Sequence, residues 1–426
     1  MDYRILPPEE IIETTVQLPL SKSISARQLL IDAISGIPSA SPLAECDDIE
    51  SLRRCLAAGN GQQLNVGASG TALRFLTAYY AATDGADVVI AGDPASRLNE
   101  RPVGLLVDAL RSLGAEIEYL DGDGHAPLHI KGHRLTGGDV AMDASVSSQF
   151  VSALMMVGPT MEAPLKITLL NNIASAPYIK MTAAMMERRG ARVEIAGQTV
   201  TVEPGNYTLP GGEIERDWSA ASYWYSLVAI SAGWVTLPGL IKDSLQGDSL
   251  MLRYGAELGV VTDFDDEDAP DAAVLSGSPE QYGRLSLDMA ATPDLVPALA
   301  VAASTLGIPF RFTGVKTLHD KECDRIDALC REALKLGAVF ETEGADILYW
   351  EGNRHPITEL PLIDTYADHR MAMAFAPVSV FLPGMVIRDV EVVNKSYPGY
   401  WDDLRATGFT LLDPAEAVPE QGAATE

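Results

Sequence analysis

"VGLLVDALRSLGAEIEYL", residues 103–120, holds a helix, its stop signal and the start of a strand in one short run. Val103, Leu106, Val107 and Leu110 fall at the spacing that puts apolar side chains on one face of a helix. Gly114 then suits the left-handed position that closes a helix, and the alternating segment after it reads as a half-buried strand. The same pattern recurs in "DDIESLRRCLAAG" (47–59), "YIKMTAAMMERRGARVEIA" (178–196), "DSLMLRYGAELGVVTDF" (248–264), "DRIDALCREALKLGAVFE" (324–341) and "YWDDLRATGFTLL" (400–412). The glycines, Gly59, Gly114, Gly190, Gly259, Gly337 and Gly408, stand 55, 76, 69, 78 and 71 residues apart. Helix, glycine, strand is common in any α/β protein, but so even a spacing is best explained by six copies of one unit of about 70 residues. Six units can form one ring or two groups of three, and the polar, glycine-rich joints do not choose between them.

The bulk properties narrow the function. A chain of 426 residues with 47% hydrophobic and 21% charged residues is globular and long enough for two or three domains. A formal net charge of -28 argues against a nucleic-acid or anionic-membrane surface, which needs a basic face, but not against small anions held by a local cation cluster. Cys46, Cys55, Cys323 and Cys330 form no CxxC, as expected of free thiols in a reducing compartment. The opening "MDYRILPPEE" lacks the basic-then-apolar order of a signal peptide. The uncharged stretch 222–241 carries a Pro238–Gly239 turn, and 371–387 is broken by Pro377 and Pro383, so both read as a buried helix leading to a core strand. A soluble cytoplasmic protein with a frayed tail at 414–426 is the expectation.

The few cations fall at helix mouths. In "LPLSKSISARQLL" (18–30), Ser21 or Ser23 can cap a helix whose N-terminus carries Lys22 and Arg27. That combination suits a phosphate or carboxylate, though a capped helix with two surface cations explains it equally. "NVGASGTALRFL" (65–76) sets Gly67, Gly70 and Thr71 ahead of Arg74, and matches neither a Walker A loop nor a dinucleotide fingerprint. Arg101 precedes Pro102, which suits a first helical turn. Ser147, Ser148 and Gln149 open another apolar run, and Ser175 and Tyr178 precede the next. Further on come Asp294 after Pro293, then Lys321, Glu322 and Arg325, then Asp368, His369 and Arg370, and finally Lys395. Asp294 is also an ordinary helix cap, and His369 with Asp368 reads as structural in the absence of a nucleophile motif. His125, His129 and His133 do not suggest a metal, because residues four apart in a strand lie about 13 Å apart. If the units are arranged symmetrically, these mouths converge on one cleft for a ligand carrying several negative charges.

Ten stretches taken in order carry a resemblance: "LPLSKSISARQLL", "GASGTALR", "ERPVGLLVDALRSLGA", "SSQFVSAL", "SAPYI", "DWSAASYW", "PDLVPALAVAA", "KECDRIDAL", "DHRMAMAF" and "KSYPGYW". Over nearly its whole length the chain resembles the 5-enolpyruvylshikimate-3-phosphate synthases, a family of enolpyruvyl transferases. The resemblance implies an α/β fold described as a two-domain inside-out α/β barrel, with six βαβαββ units, three per domain. Residues 19–215 would form one domain, inserted into another made of 1–18 and 216–426. It also implies a monomer that closes over shikimate 3-phosphate and phosphoenolpyruvate with neither metal nor organic cofactor.

Carried over residue by residue, the resemblance places shikimate 3-phosphate against Lys22, Ser23, Arg27, Ser147, Ser148, Gln149, Ser175, Tyr178, Asp294 and Lys321. Phosphoenolpyruvate falls to Lys22, Gly70, Arg101, Gln149, Arg325, Arg370 and Lys395, where arginine forks suit a carboxylate and a phosphate. Asp294 is the implied base for the 5-hydroxyl and Glu322 the implied acid toward the methylene carbon, with Lys22 a rival donor. The bland reading of Glu322 is a surface acid paired with Arg325. The chain also departs from the family's habits. Ala68 and Ser69 stand where Asn-Ala is common, and Phe75 where Pro is common. Leu20, Ala26, Thr317 and the run "HDKECDR" differ as well. Because Ser69 and Phe75 flank the pocket where glyphosate binds in this family, altered inhibitor sensitivity is expected. A sister transferase acting on a UDP-amino sugar typically has Lys-Asn where Lys22-Ser23 stands here, and a catalytic loop cysteine. A non-catalytic binder on the same scaffold would be expected to lose Lys22, Asp294 or Glu322.

Overall fold

In the computed structural model, residues 1–278 and 283–416 are described. Of the expected frayed tail, residues 417–426 lie outside the described residues. Twelve α-helices follow one another among the described residues: α1 (Lys22–Ser35), α2 (Asp47–Ala58), α3 (Gly70–Ala81), α4 (Gly104–Ser112), α5 (Ser148–Val157), α6 (Ala176–Arg188), α7 (Trp218–Ser231), α8 (Met251–Glu257), α9 (Val296–Leu306), α10 (Arg325–Lys335), α11 (His369–Phe375) and α12 (Tyr400–Ala406). The glycines of the repeat follow α2, α4, α6, α8, α10 and α12, the second helix of each unit, and all six have positive φ, from 74° at Gly59 to 100° at Gly114.

Five of the units carry the same four-stranded sheet. In the first, Gln63–Asn65 runs parallel to Asp87–Ala91, and Leu128–Lys131 is antiparallel to both Asp87–Ala91 and Glu116–Tyr119. The spatial order is therefore first, second, fourth, third, with one helix after each of the first two strands. That order recurs for the strands of 138–202 and 285–350. It recurs again where Glu13–Thr15 supplies the first strand to the sheet of α7 and α8, and where Tyr3–Leu6 supplies the fourth to the sheet of α11 and α12. The sheets stay separate, and no closed barrel forms among the described residues.

The unit of α1 and α2 keeps its helices without such a sheet. Its connecting segment carries Pro38 and Pro42, which cannot donate to a ladder. A buried polar clamp takes its place. Arg189 pairs with Asp32 and donates to Ser35 Oγ (3.1 Å), Ser39 Oγ (3.1 Å) and Ile37 O (3.0 Å), while Gly211 N donates to Ser39 Oγ (2.9 Å).

Two hydrophobic cores result. One gathers residues from Ile24 to Ile214, the other Ile5 to Leu18 together with Trp218 to Phe409. The first helix of each unit lies at the centre; α3, α5, α7, α9 and α11 are buried nearly all round, whereas α1 carries Lys22, Arg27, Gln28 and Asp32 among its apolar residues. α1, α3 and α5 pack on one another in the first core, and α7, α9 and α11 in the second. The uncharged stretch 222–241 is α7 followed by the strand Trp234–Pro238, and no helix among the described residues is long and apolar enough to cross a membrane. The chain crosses between cores twice, and the crossings pair: Ser21 N donates to Glu215 O (2.8 Å), Asp217 N to Pro19 O (2.9 Å), and Arg216 Nη1 to Leu18 O (2.8 Å). This pairing sits at the starts of α1 and α7, and the N-termini of all six central helices face the space between the cores.

Candidate active site

Each central helix brings its own first residues to a cavity between the two cores, lined at these mouths by Lys22 and Ser23, Gly70 and Thr71, Ser147 and Ser148, Asp217 and Ser219, Asp294, and His369 and Arg370. Local caps set four of the mouths. Ser69 accepts from Ala72 N (3.2 Å), Ser147 from Gln149 N (3.2 Å), Asp217 from Ala220 N (2.9 Å) and Asp368 from Arg370 N (2.9 Å). At α1 the capping expectation changes. Ser21 makes no cap bond, and Lys22 N donates to Asp217 Oδ2 (3.1 Å), an acceptor from the other core. Arg101 does not open α4 either. It sits between a 3-10 turn (Arg97–Glu100) and α4, where Pro102 ends the turn, and its Nε reaches across the cavity to Asp320 O (3.1 Å).

The cations and carboxylates form one buried network. Arg325 donates to Asp294 Oδ1 (2.9 Å), Glu322 Oε2 (2.8 Å) and Asp368 Oδ2 (2.6 Å). Asp294 also meets Arg370 Nη2 (3.0 Å) and Lys321 Nζ (3.3 Å), while Glu322 lies 3.9 Å from Arg101 Nη1 and 3.8 Å from Lys395 Nζ. Burial alone would raise both carboxyls. Arg370, Lys321 and Arg325 outweigh it at Asp294, and Arg325, Arg101 and Lys395 at Glu322, so both are held well below the usual carboxylate range. Asp48 bridges Lys22 Nζ and Lys395 Nζ at 2.9 Å each. Although burial opposes it, this carboxylate raises the Lys22 pKa, so Lys22 keeps its proton.

Arg27 is buried without a carboxylate. It donates to Thr182 Oγ1 (2.7 Å), Ser152 Oγ (3.1 Å) and Ser23 O (2.9 Å), and its guanidinium lies 5.5 Å from the ring centroids of Phe75 and Tyr178. Phe75 therefore stands behind a site cation and not in the cavity wall. Gln149 accepts from Arg74 Nη1 (2.9 Å) and donates to Thr71 Oγ1 (3.1 Å).

Of the residues expected from the sequence, Lys22, Ser23, Arg27, Gly70, Arg101, Ser147, Ser148, Gln149, Ser175, Tyr178, Asp294, Lys321, Glu322, Arg325 and Arg370 all line this cavity. Lys395 is the exception. It sits behind the wall, donating to Asp48 and to Ala68 O (2.7 Å). Glu322, its side chain 14% exposed, is held from three sides by Arg325, Arg101 and Lys395, not a free surface acid. His369, read from sequence as structural, is on the cavity wall with neither ring nitrogen hydrogen-bonded, and burial beside Lys22 and Arg370 holds it neutral. Asp48, Arg74, Asp217, Ser219 and Tyr223 line the cavity as well and were not assigned from sequence. Arg74 had a sequence cue, its place one turn into the helix after a glycine loop, and Asp217, Ser219 and Tyr223 lie in the stretch "DWSAASYW", whereas Asp48 had none. His125, His129 and His133 bond separately to Asp123 O, Asp87 and Gly114 O, and no group of His, Cys, Asp or Glu among the described residues is placed to hold a metal ion.

The family profile described as "EPSP synthase (3-phosphoshikimate 1-carboxyvinyltransferase)" matches residues 43–404. The chain belongs to the EPSP synthase family. It is 42% identical over 414 residues to a 3-phosphoshikimate 1-carboxyvinyltransferase of Bacteroides fragilis, covering 96% of this chain and 99% of that one. It is 33% identical over 434 residues to the protein of the same name from Aliivibrio fischeri, covering 95% and 99%. A solved EPSP synthase of Acinetobacter baumannii superposes with a TM-score of 0.76 over 97% of this chain and 100% of that one at 20% identity, which shows a common fold. As a member of the EPSP synthase family, the chain keeps its ten resembling stretches along the walls and supports of one cavity.

Proposed function

We propose that this chain transfers the enolpyruvyl group of phosphoenolpyruvate to the 5-hydroxyl of shikimate 3-phosphate, as a 3-phosphoshikimate 1-carboxyvinyltransferase. The observation that carries the reading is Arg325, which holds Asp294 and Glu322 at 2.9 and 2.8 Å, so that two carboxylates face one anion site. The cations divide naturally. Arg101, Arg325 and Arg370, with Lys22, Gly70 and Gln149, take phosphoenolpyruvate, and Lys395 adds its charge from behind the wall through Asp48 and Glu322. Arg27, Ser23, Ser147, Ser148, Ser175, Tyr178 and Lys321, with Lys22 and Gln149, take the phosphorylated ring, whose hydroxyl faces Asp294.

In the addition step the ring oxygen bonds to C2 of phosphoenolpyruvate, Asp294 takes the hydroxyl proton, and C3 gains a proton from Glu322. In the elimination C3 returns a proton to Glu322, the double bond re-forms, and the C2–O bond to phosphate breaks with Lys22 protonating the leaving group. Lys22 suits this because Asp48 raises its pKa. Every group named belongs to one chain, so a monomer is a complete working unit, and the two hydrophobic cores, 19–215 and 1–18 with 216–426, act as its two domains. Their closure removes water and strengthens each charge interaction.

The test is phosphate release with both substrates, with each omitted in turn, and with Asp294→Asn and Glu322→Gln alongside. Release that needs both substrates and falls by 10² or more in each variant is expected. Tight binding of shikimate 3-phosphate without release would refute the transferase reading.

A further inference from the structure

Beyond the cavity wall, the 3-10 turn Gly247–Leu250 carries Asp248, a carboxylate 3% exposed whose Oδ1 has no hydrogen-bond partner. It lies at the seam between the cores. A Cβ on the preceding Gly247 would press into Pro177 in the first turn of α6, with Ala291 O at 3.8 Å on the other side. The other oxygen, Oδ2, accepts from Ser219 Oγ. Ser219 in turn faces Arg370, whose Nη2 lies 3.4 Å from the same Oγ and 3.0 Å from Asp294 Oδ2.

A serine hydroxyl has one proton and two lone pairs. With the proton committed to Asp248, Ser219 can meet Arg370 only as an acceptor. We infer that Asp248 is a positioning residue for the anion-binding Arg370, acting through Ser219. The remaining Arg370 contacts, Tyr223 Oη (3.3 Å) and Asp294 O (3.2 Å) from Nη1, complete a fork fixed on both arms. The Ser219 contact is the arm that Asp248 controls. Without it the hydroxyl can turn its proton toward the guanidinium, and a donor then faces a donor. Asp248 also adds negative charge near Asp294 and Arg370, and burial beside Asp294 lifts its own pKa to about 6. This inference rests on the reading of Arg370 as a phosphoenolpyruvate ligand.

The experiment measures kcat and both KM values for Asp248→Ala, which removes the acceptor of the Ser219 hydroxyl, for Ser219→Ala, for the double variant and for Arg370→Lys, with thermal unfolding of each. Loss of an indirect support to a charged hydrogen bond raises the KM for phosphoenolpyruvate roughly five- to tenfold in each single variant and by the same factor in the double. The KM for shikimate 3-phosphate stays within twofold. A purely structural role would lower the unfolding midpoint and move both KM values together, or make the two substitutions additive, and either result overturns the inference. If Arg370→Lys leaves the KM for phosphoenolpyruvate unchanged, the assignment of Arg370 itself is wrong. If Arg370→Lys raises it while Asp248→Ala and Ser219→Ala do not, only the positioning role is.

Discussion

Gly70→Ala adds one methyl group between two guanidinium groups. Gly70 opens α3 outside the left-handed region of φ, so alanine there carries no backbone strain and the effect is one of space alone. A Cβ at this position would lie 2.8 Å from Arg101 Nη1 and 3.2 Å from its Cζ, and would press into Arg74 Nη1. Ordinary van der Waals contact begins near 3.4 Å, so Arg101 must retreat by at least 0.6 Å and Arg74 by more. Neither can do so freely, because Arg101 Nε holds Asp320 O at 3.1 Å and Arg74 Nη1 holds Gln149 at 2.9 Å. Displacing the Arg101 fork and, through Arg74, the Gln149 amide from a bound anion by this much costs about 1.4–2.8 kcal/mol, or roughly ten- to a hundredfold in affinity. Steady-state phosphate release reads it as a rise of that size in the KM for phosphoenolpyruvate, with calorimetric binding of shikimate 3-phosphate within twofold of the parent. A KM for phosphoenolpyruvate within twofold of the parent would show that the Gly70 mouth is not where that substrate sits.

Asp48→Asn removes the carboxylate that raises the Lys22 pKa, so the alkaline limb of the kcat profile moves to lower pH. An unmoved limb assigns that proton to another group. Asp248 is lifted from 3.8 to about 6, chiefly by burial and then by Asp294, against the pull of Arg370 and Ser219. A carboxyl with a raised folded-state pKa loses stabilisation as pH climbs through that value. The stability of Asp248→Asn relative to the parent therefore improves by about 1 kcal/mol between pH 5 and 7.5 by denaturant unfolding, and a constant difference would contradict the burial argument. Gly337 has φ +79° and faces His355 O, so Gly337→Ala lowers stability by ~2 kcal/mol or more, read as a drop in the urea midpoint at unchanged slope. With a net charge of -28 the folded chain repels itself, so its unfolding midpoint rises from 50 mM to 1 M KCl. A midpoint that falls would place the excess acids in paired networks instead.

What the sequence made legible was local. The second helix of each unit was readable because its apolar face and terminal glycine lie within one short window, as at 324–341, where Gly337 follows α10 with a positive φ. Ser147 was readable as a helix opener because a cap bonds within three residues, and Ser69 and Asp368 cap their helices over the same short span without having been read as caps. What escaped was long-range. Asp48 looks like an ordinary first-turn acid, and its partner Lys395 is 347 residues away. Ser21 has the composition of a cap, but Asp217, 195 residues on from Lys22, takes the N–H instead. The missing sheet beside α1 was hinted at by Pro38 and Pro42, yet the clamp that replaces it joins Arg189 to Asp32 across 157 residues. Asp248 gave no signal at all, since its meaning depends on Ser219 turning a lone pair toward Arg370.

The placement of charge also bears on how the chemistry is timed. Of 31 Lys and Arg side chains, eight surround this one cavity: Lys22, Arg27, Arg74, Arg101, Lys321, Arg325 and Arg370 on its wall and Lys395 behind it. Several of these cations are paired with Asp48, Asp294 and Glu322. A carboxylate held well below its usual range by arginines and a lysine is a poor proton carrier, which at first argues against Glu322 as the acid toward carbon. The substrates change that balance. A phosphate or carboxylate that takes Arg101 and Arg325 as partners offsets most of the charge that was holding Glu322 ionised, and with water excluded by the closed cores burial then pushes its pKa upward. The same substitution at Arg370 and Lys321 frees Asp294 to accept the hydroxyl proton. In the proposed reaction phosphoenolpyruvate, by taking Arg101 and Arg325, lets Glu322 gain its acid strength, whereas Asp294 is released in full only when phosphoenolpyruvate takes Arg370 and shikimate 3-phosphate takes Lys321, so the base that starts the addition is complete only with both anions bound.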